Sequence, residues 1–220
     1  MFGKRKIPLQ TEVSGLAFRN PVGLPCTPQK RRWRLFRNAL HTGFLTLTPP
    51  KENVLSWVKS LQKDPEGGLV AVNVTTDFVR TFSLVYDFAD FIILSPDSDN
   101  GIDASDISDT KVLIDEVVSL RLCYEYFTPI FLRLSHGTTE EELKVLLGDC
   151  QLSGIDGVVA PASLVKRIGE LTLGRLPVVG MAKTPEQALE TLRSGASLVE
   201  LQAGPIGACK LLKTLENTPL

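Results

Sequence analysis

The chain has 220 residues, 43% hydrophobic and 22% charged, and a formal net charge of −1. This composition is typical of a globular protein, and the near-zero charge gives no electrostatic case for nucleic-acid binding. No apolar run approaches the ~20 residues needed to span a bilayer, and no signal-peptide segment follows the basic start. The cysteines are widely spaced, which argues against a zinc site and fits a reducing cytosol. We therefore expect a cytoplasmic protein without a metal site or a membrane partner.

The first structured segment of the sequence covers residues 15–24, Gly-Leu-Ala-Phe-Arg-Asn-Pro-Val-Gly-Leu. It predicts a short strand, a turn at Asn20-Pro21 and a second strand that begins at Val22. Pro21 fixes its own φ and biases Asn20 toward extended geometry, which is the physical basis of the turn. A simple hairpin formed by these two strands is one interpretation of the segment.

Beyond this segment, short apolar runs alternate with amphipathic stretches. Each run is brief, is mostly Val, Ile, Leu or Phe, and is bounded by polar residues, Gly or Pro. Strands buried on both faces of a parallel sheet have this pattern. The predicted strands are residues 21–24, 44–47, 69–74, 91–94, 130–134, 157–160, 177–180 and 198–201.

Two of the intervening helices carry clear start signals. Thr138 stands three residues before Glu141, which is the spacing of a capping box. The other helix begins at a Thr-Pro-x-Gln sequence, with proline at the first helical position, and ends at a glycine. Its signal residues are Thr184, Pro185, Gln187 and Gly195.

Eight strand–helix units can be counted, with the last helix over about residues 207–216. Repeated βα units form a parallel sheet with right-handed crossovers. Eight units would close into a TIM barrel, for which ~200 to 400 residues are usual, so the whole chain forms a single domain. An open doubly wound sheet is the alternative that periodicity leaves open. No Gly-x-Gly-x-x-Gly follows the first strand, so a dinucleotide site has little support.

Three segments carry a family resemblance. They are residues 15–24, Gly174-Arg175-Leu176-Pro177-Val178-Val179-Gly180 and Gly195-Ala196-Ser197-Leu198-Val199. In amino-acid sequence and in their order along the chain, these segments resemble the dihydroorotate dehydrogenases, flavin-dependent barrels that oxidise dihydroorotate to orotate. The resemblance implies an eight-stranded barrel with an N-terminal hairpin, around residues 12–18, that covers the barrel bottom.

The resemblance also implies ligand positions at the carboxyl ends of the strands, where barrel enzymes carry their chemistry. Lys30 matches a lysine that holds the orotate carboxylate, although a solvated lysine in a basic cluster is the alternative. Asn73 matches a flavin-contacting asparagine, although an asparagine that only satisfies buried backbone groups is the alternative. Arg133 replaces a flavin-contacting lysine, and this exchange is not conservative because guanidinium is bulkier and fork-shaped.

Phosphate binding in the family uses two glycines after the seventh barrel strand, whose N–H groups cradle the anion. Here those two glycines are missing, and Lys183 with the first turn of the next helix remains to attract an anion. After the eighth strand, only Gly204 of the second phosphate loop is kept. The resemblance therefore assigns Lys183 and Gly204, together with Asn73 and Arg133, to cofactor binding.

Other family positions that meet the pyrimidine have changed. Asp97 stands where an asparagine belongs, and Pro161-Ala162 replaces a substrate-binding Asn-Thr pair. No serine or cysteine stands in the context of the family's catalytic base, so no catalytic residue is assigned. The two histidines, His41 and His136, are isolated, and neither supports a metal site or a Ser-His dyad.

Arg133 and Glu200 are expected to interact inside the barrel. Side chains alternate faces along a strand, so Arg133 should point inward, as should Glu200, which replaces an inward glutamine of the family. An unpaired buried charge costs several kcal/mol. We therefore predict that both side chains neutralise charges inside the barrel, with each other or with near neighbours.

Positions that pack the barrel match the family, whereas positions that meet flavin and pyrimidine are lost, changed or deleted. We favour a barrel that has lost the redox reaction and keeps a scaffold or interaction role. An active FMN-dependent oxidoreductase of pyrimidine biosynthesis with rearranged ligands is one alternative. A barrel that binds another small anionic ligand through Lys30, Arg133 or Lys183 is the other. We expect no cofactor, with FMN bound if the family activity is retained, and a homo-oligomer stays open.

Overall fold

The structure, a computed structural model, describes residues 9–26, 42–50, 52–59, 68–96 and 107–217. These residues contain ten strands and seven helices. The strands are Thr11–Val13 (β1), Leu16–Phe18 (β2), Val22–Cys26 (β3), Phe44–Leu47 (β4), Leu69–Val74 (β5), Phe91–Leu94 (β6), Ile130–Arg133 (β7), Gly157–Pro161 (β8), Val178–Ala182 (β9) and Leu198–Leu201 (β10). The helices are Val54–Lys59 (α1), Phe78–Val85 (α2), Ile107–Arg121 (α3), Glu140–Ser153 (α4), Ala162–Thr172 (α5), Pro185–Arg193 (α6) and Gly204–Asn217 (α7).

Strands β3 to β10 form a closed parallel barrel in chain order, with β10 paired to β3. At the closing seam, Val199 lies beside Val22 and Glu200 beside Gly23. Alternate strand residues point outward and pack against the helices that follow the strands. The TIM barrel predicted from the sequence is confirmed, and the open sheet is wrong.

Four predicted strands, β4, β5, β6 and β10, have their predicted bounds. Strands β3 and β9 start one residue later than predicted, because Pro21 and Pro177 lack the N–H group needed for ladder pairing. They also run two residues further, whereas β8 gains one residue and β7 loses one. The last helix, α7, starts at Gly204, earlier than predicted.

An antiparallel hairpin of β1 and β2 closes the barrel bottom, as the family resemblance implied. Its turn residues, Ser14 and Gly15, both have positive φ, 50° and 78°. Such angles suit a two-residue hairpin turn. Phe18 lies against the barrel interior, its ring centroid 5.8 Å from that of Phe44 and 5.9 Å from that of Phe91. These edge contacts hold the hairpin on the barrel.

The simple hairpin predicted around Asn20-Pro21 is wrong, because β2 pairs with β1 while β3 pairs with β4 and β10. The buried Asn20 links the bottom of two barrel strands instead. Its Oδ1 accepts hydrogen bonds from the backbone N–H groups of Val22 and Gly43, each at 3.0 Å. The hydrogen bonds of this connector therefore run into the barrel.

The capping box of α4 lies one residue further along than predicted. Thr139 is the cap: its Oγ1 accepts from the Glu142 N–H, and the Glu142 carboxylate accepts from the Thr139 N–H. The Thr138 hydroxyl donates to the Ser135 carbonyl instead. Two adjacent threonines stand before three consecutive glutamates, so the spacing alone could not choose between them. The glycine stop predicted for α6 is confirmed, with Gly195 at φ 106° just after the helix.

Side chains fill the barrel interior in layers. At the bottom, the rings of Phe18, Phe44, Phe91 and Phe131 make tilted and edge-to-face contacts. Smaller apolar side chains lie among and above them, including Ala71, Ile93, Val159 and Val179. Toward the carboxyl ends of the strands the inward side chains become polar, and we call this end the mouth.

Candidate functional site

An ion pair spans the mouth. Arg133 is the last residue of β7, and Glu200 lies on β10, on the same interior surface. Arg133 donates from Nη1 to Oε1 and from Nη2 to Oε2 of Glu200, both at 3.1 Å. The side chains are only 20% and 2% exposed. The prediction that these two residues point inward and neutralise each other is confirmed.

The ion pair leaves the mouth without a free cation at this point. Both oxygens of the carboxylate hold the guanidinium in a two-point arrangement, the strong geometry for this pair. Arg133 Nη1 also lies 3.0 Å from Sδ of Met181 on β9. Two buried polar atoms in this region have no hydrogen-bond partner among the described residues, Nε of Arg133 and Oγ1 of Thr46 on β4. These are the groups that a small ligand could meet.

Asn73 lies near the end of β5, at the mouth. Its Oδ1 accepts from the Ser95 hydroxyl at 2.5 Å, and its Nδ2 donates to Oγ1 of Thr48 at 3.3 Å. The amide is therefore held by hydroxyl groups inside the protein, rather than by the backbone groups of the alternative interpretation. The contacts of Ser95 and Thr48 with Asn73 could not be predicted, because they join residues more than 20 positions apart in the sequence.

The N-terminus of α6, next to Lys183, is closed by its own side chains. Thr184 Oγ1 accepts from the Gln187 N–H at 3.2 Å, and Gln187 Oε1 accepts from the Lys183 N–H at 2.8 Å. Pro185, at the first helical position, has no N–H to offer. The exposed helix end thus lacks several of the donors with which such a terminus cradles an anion.

A carboxylate engaged in an ion pair lies at this same helix end. Glu186 lies in the first turn of α6, and its Oε1 accepts from Nζ of Lys210 on α7 at 2.7 Å. This hydrogen bond lowers the pKa of the Glu186 carboxyl to about 2. The side chain is therefore ionised at neutral pH, and its charge is paired with that of Lys210. The side chain of Lys183 stays exposed to solvent.

Gly204 starts α7 directly after β10, with φ of 69°. A Cβ there would meet no atom within 4 Å, so the backbone angle rather than a close contact favours glycine. Lys30, Asp97 and His41 lie outside the described residues. His136 is exposed in the loop after β7.

Other kinds of site are not found in the described part of the chain. Its His, Cys, Asp and Glu side chains form no group of three or more suited to a metal ion. None of its helices combines the length and the apolar character needed to cross a membrane. All four cysteines are free thiols.

Comparisons with known proteins point to one family, although no family model matches the sequence. The chain is 24% identical over 271 aligned positions to dihydroorotate dehydrogenase (quinone) of Christiangramia forsetii, with 89% of this chain and 79% of that protein covered. It is 25% identical over 224 positions to the protein of the same name from Actinobacillus pleuropneumoniae serotype 5b. That match covers 80% of this chain and 64% of the relative, slightly less than two thirds of its length.

Solved structures agree in fold. A crystal structure of DHODH from Eimeria tenella in complex with ferulenol superposes with a TM-score of 0.80 at 16% identity, over 98% of this chain and 85% of that one. The ligand-free type from the same organism gives a TM-score of 0.78 at 17% identity, over 97% and 88% of the two chains.

The closed parallel barrel, its bottom hairpin and its polar mouth define a (β/α)8 barrel of the kind that carries ligand sites at the strand ends. Sequence and fold similarity together narrow this class. The chain is similar in sequence, at 24–25% identity, and in fold to dihydroorotate dehydrogenases.

Proposed function

We propose that this barrel has lost the FMN-dependent oxidation of dihydroorotate and serves a non-catalytic scaffold or interaction role. The ion pair between Arg133 and Glu200 carries the proposal. In the family pattern, a cation at this strand end contacts the flavin. Here the cation donates to both oxygens of Glu200 at 3.1 Å, so its charge is compensated and two of its donors are engaged.

The residues at the mouth do not fit FMN. On the ring side, the amide of Asn73 is engaged by Ser95 and Thr48. On the phosphate side, the N–H groups of Lys183 and Gln187 are bonded within the chain, and the ionised Glu186 adjoins them. A hydrogen bond to a charged group contributes about 1.5–3 kcal/mol. Losing two such bonds would weaken a ligand by at least about a hundredfold.

A barrel that binds a different small ligand in the mouth is the second candidate. It is favoured by the buried Nε of Arg133 and Oγ1 of Thr46, which have no partner among the described residues. A ligand there would accept a hydrogen bond from Nε, since that group can only donate. Lys183 can contribute only the charge of its exposed side chain, because its backbone N–H already donates to Gln187.

The decisive experiment measures flavin and turnover on the purified full chain. We expect no visible flavin absorption, no saturable quenching of FMN fluorescence and no dye reduction when dihydroorotate is added. A double variant, Arg133→Lys with Glu200→Gln, puts the family residues back at the ring side. It should still fail to retain FMN, because the phosphate-side donors remain engaged. A yellow wild-type protein with one flavin per chain, or dye reduction with dihydroorotate, would overturn the proposal.

We also propose a cytoplasmic location, supported by the four free thiols, which suit a reducing compartment. Fractionation of the cells that express the protein tests this, and recovery with the membrane or secreted fraction would contradict it.

A further inference from the structure

The barrel bottom carries an apolar surface that the proposed function does not use. Of the nine large apolar side chains that are exposed in the described residues, five lie at this end, with exposed fractions from 64% to 86%. We call them the basal patch: Leu122, Tyr126, Phe127, Leu152 and Leu173.

The basal patch lies on neighbouring elements at one side of the barrel. Its residues lie at or just after the C-terminal ends of α3, α4 and α5, and these helices pack side by side. A cleft of about 530 Å³ adjoins the patch, lined by Phe127 and Arg175 on one side and by the hairpin turn at Ser14-Gly15 on the other. The guanidinium of Arg121 lies 4.9 Å from the ring centroid of Phe127 and holds this exposed ring in place.

Leu173 is doubly unfavourable for an isolated chain. It ends α5 in the left-handed region, with φ of 52° and ψ of 35°, where glycine is the usual residue. Its side chain is also 73% exposed. A large apolar residue kept in a strained and solvated position indicates that something covers it, because burial would offset both penalties.

The size of the patch fits a protein–protein interface. With roughly 150–200 Å² for each large side chain, five side chains exposed to this extent offer on the order of 600–700 Å². That exceeds the ~300–600 Å² of the largest apolar patch on most monomers. It approaches the ~800 Å² that each partner contributes to a standard interface, and polar rim residues would supply the remainder.

The charges around the patch are complementary to those of a second copy. Glu125 and Arg175 are both exposed beside it, and neither has an ion-pair partner within the described ranges. In a two-fold symmetric contact, Glu125 of each protomer can meet Arg175 of its partner, which makes two pairs from one patch. The formal net charge of −1 leaves little repulsion between copies. We propose that the basal patch is the interface of a symmetric homodimer of this chain.

Sedimentation equilibrium of the full chain between about 1 and 100 μM tests the proposal, since interfaces of standard size have dissociation constants in the micromolar range or below. We expect twice the chain mass at the upper end. Leu152→Glu should shift the protein to the monomer, because it places a charge on the most exposed apolar side chain of the patch. Ile206→Glu is the matched control: Ile206 is 87% exposed, but lies at the start of α7, at the opposite end of the barrel. It should leave the dimer intact.

Charge-reversal variants test whether the partner is a second copy of this chain or a different molecule. Glu125→Arg and Arg175→Glu should each weaken the dimer about tenfold, because like charges then face each other. The double variant should restore wild-type affinity, since the pairs are re-formed in reverse. Circular dichroism checks that each variant is folded. A wild-type monomer at all concentrations, a dimer that Leu152→Glu leaves unchanged, or a monomer that binds lipid vesicles through the patch would overturn the proposal.

Discussion

Arg133 and Glu200 form a two-point ion pair across the mouth, although two strands, β8 and β9, separate the strands that carry them. The pair therefore spans the interior instead of linking neighbouring strands. It joins β7 to β10, the fourth and the seventh of the strands that follow β3 along the chain. Removing one member affects both the charge and the packing of the mouth.

Glu200→Ala should destabilise the fold by about 2–3 kcal/mol. Breaking a buried pair costs ~3–5 kcal/mol because one charge is left uncompensated, and the 20% exposure of Arg133 moderates the penalty. Denaturant unfolding measures the change. The double variant Arg133→Met with Glu200→Leu should lie near wild type, since no charge is then buried. A double variant as unstable as the single one would contradict this account.

Asn20→Ala should lower the free energy of unfolding by about 1–3 kcal/mol, because the buried N–H of Val22 loses its acceptor. The link to Gly43, at the start of β4, is lost with it. Urea unfolding is the measurement. Asn217→Ala provides the matched control, since its exposed amide only bonds to Lys213 on its own helix. Equal effects of the two substitutions would show that Asn20 has no special role.

Gly23→Ala should destabilise the barrel, because the added Cβ would lie only 2.1–2.4 Å from ring atoms of Phe44. Phe44 cannot easily move, since Phe18 and Phe91 hold its ring from two sides. Phe44→Leu alone creates space, so the double variant should be more stable than the sum of the two single changes predicts. Thermal unfolding of all three proteins tests this. Simple additivity would refute the steric explanation.

Cys150 should be far less reactive toward thiol reagents than Cys123 and Cys209. Burial, with a smaller effect of Asp149, raises the pKa of the Cys150 thiol from 9.0 to about 12, and the thiolate is the reactive form. Ellman's reagent at pH 8 should therefore label the two exposed thiols quickly and Cys150 only after denaturation. Fast labelling of Cys150 in the native protein would contradict its burial.

The raised pKa of Cys150 also determines how the stability of the fold changes with pH. The thiol is neutral in both states below pH 9, and above it only the unfolded chain ionises readily. Stability should therefore fall as the pH rises from about 9 toward 12. Cys150→Ala lowers stability overall but should remove part of this alkaline dependence, which denaturant unfolding at several pH values measures. An unchanged pH dependence would be the contrary result.

The Glu186 carboxyl should titrate with a pKa of about 2, because it accepts a hydrogen bond from Lys210. The interaction is present above the ordinary carboxyl pKa and is lost as the pH falls through about 2. Carbon-detected NMR titration measures this directly. Lys210→Met should return the pKa toward 4.5, whereas Lys213→Met, on the same helix, should not. Equal shifts in both variants would rule out the specific contact.

The barrel could be predicted from the sequence because its strands are apolar runs with abrupt polar or proline boundaries. Phe44–Leu47 and Leu69–Val74 have their predicted bounds for this reason. Where two adjacent residues give the same helix-start signal, the sequence pattern could not decide which of them caps the helix. Thr138 and Thr139 offer the same cap, and only the bond from Thr138 to Ser135 distinguishes them.

The site was harder to predict because its contacts join distant parts of the chain. Strand alternation was enough to turn Arg133 and Glu200 inward, but not to give their two-point geometry. The bond from Lys183 to Gln187 follows from the loop conformation, which no spacing rule contains. The backbone N–H of Lys183 is thus bonded within the chain, while its side chain stays exposed, and its role as an anion ligand stays a prediction.

The closing seam has a consequence for folding. Val199 must find Val22, almost the whole length of the chain away, before the barrel is complete. Such a contact forms late, because a long loop must be ordered before the pairing compensates for its entropy. During synthesis on the ribosome, one edge of β3 therefore stays unpaired until β10 has been synthesised. During this interval the unpaired edge can pair with a strand of another chain, which leads to aggregation. Rapid completion of synthesis shortens the interval and so reduces this risk.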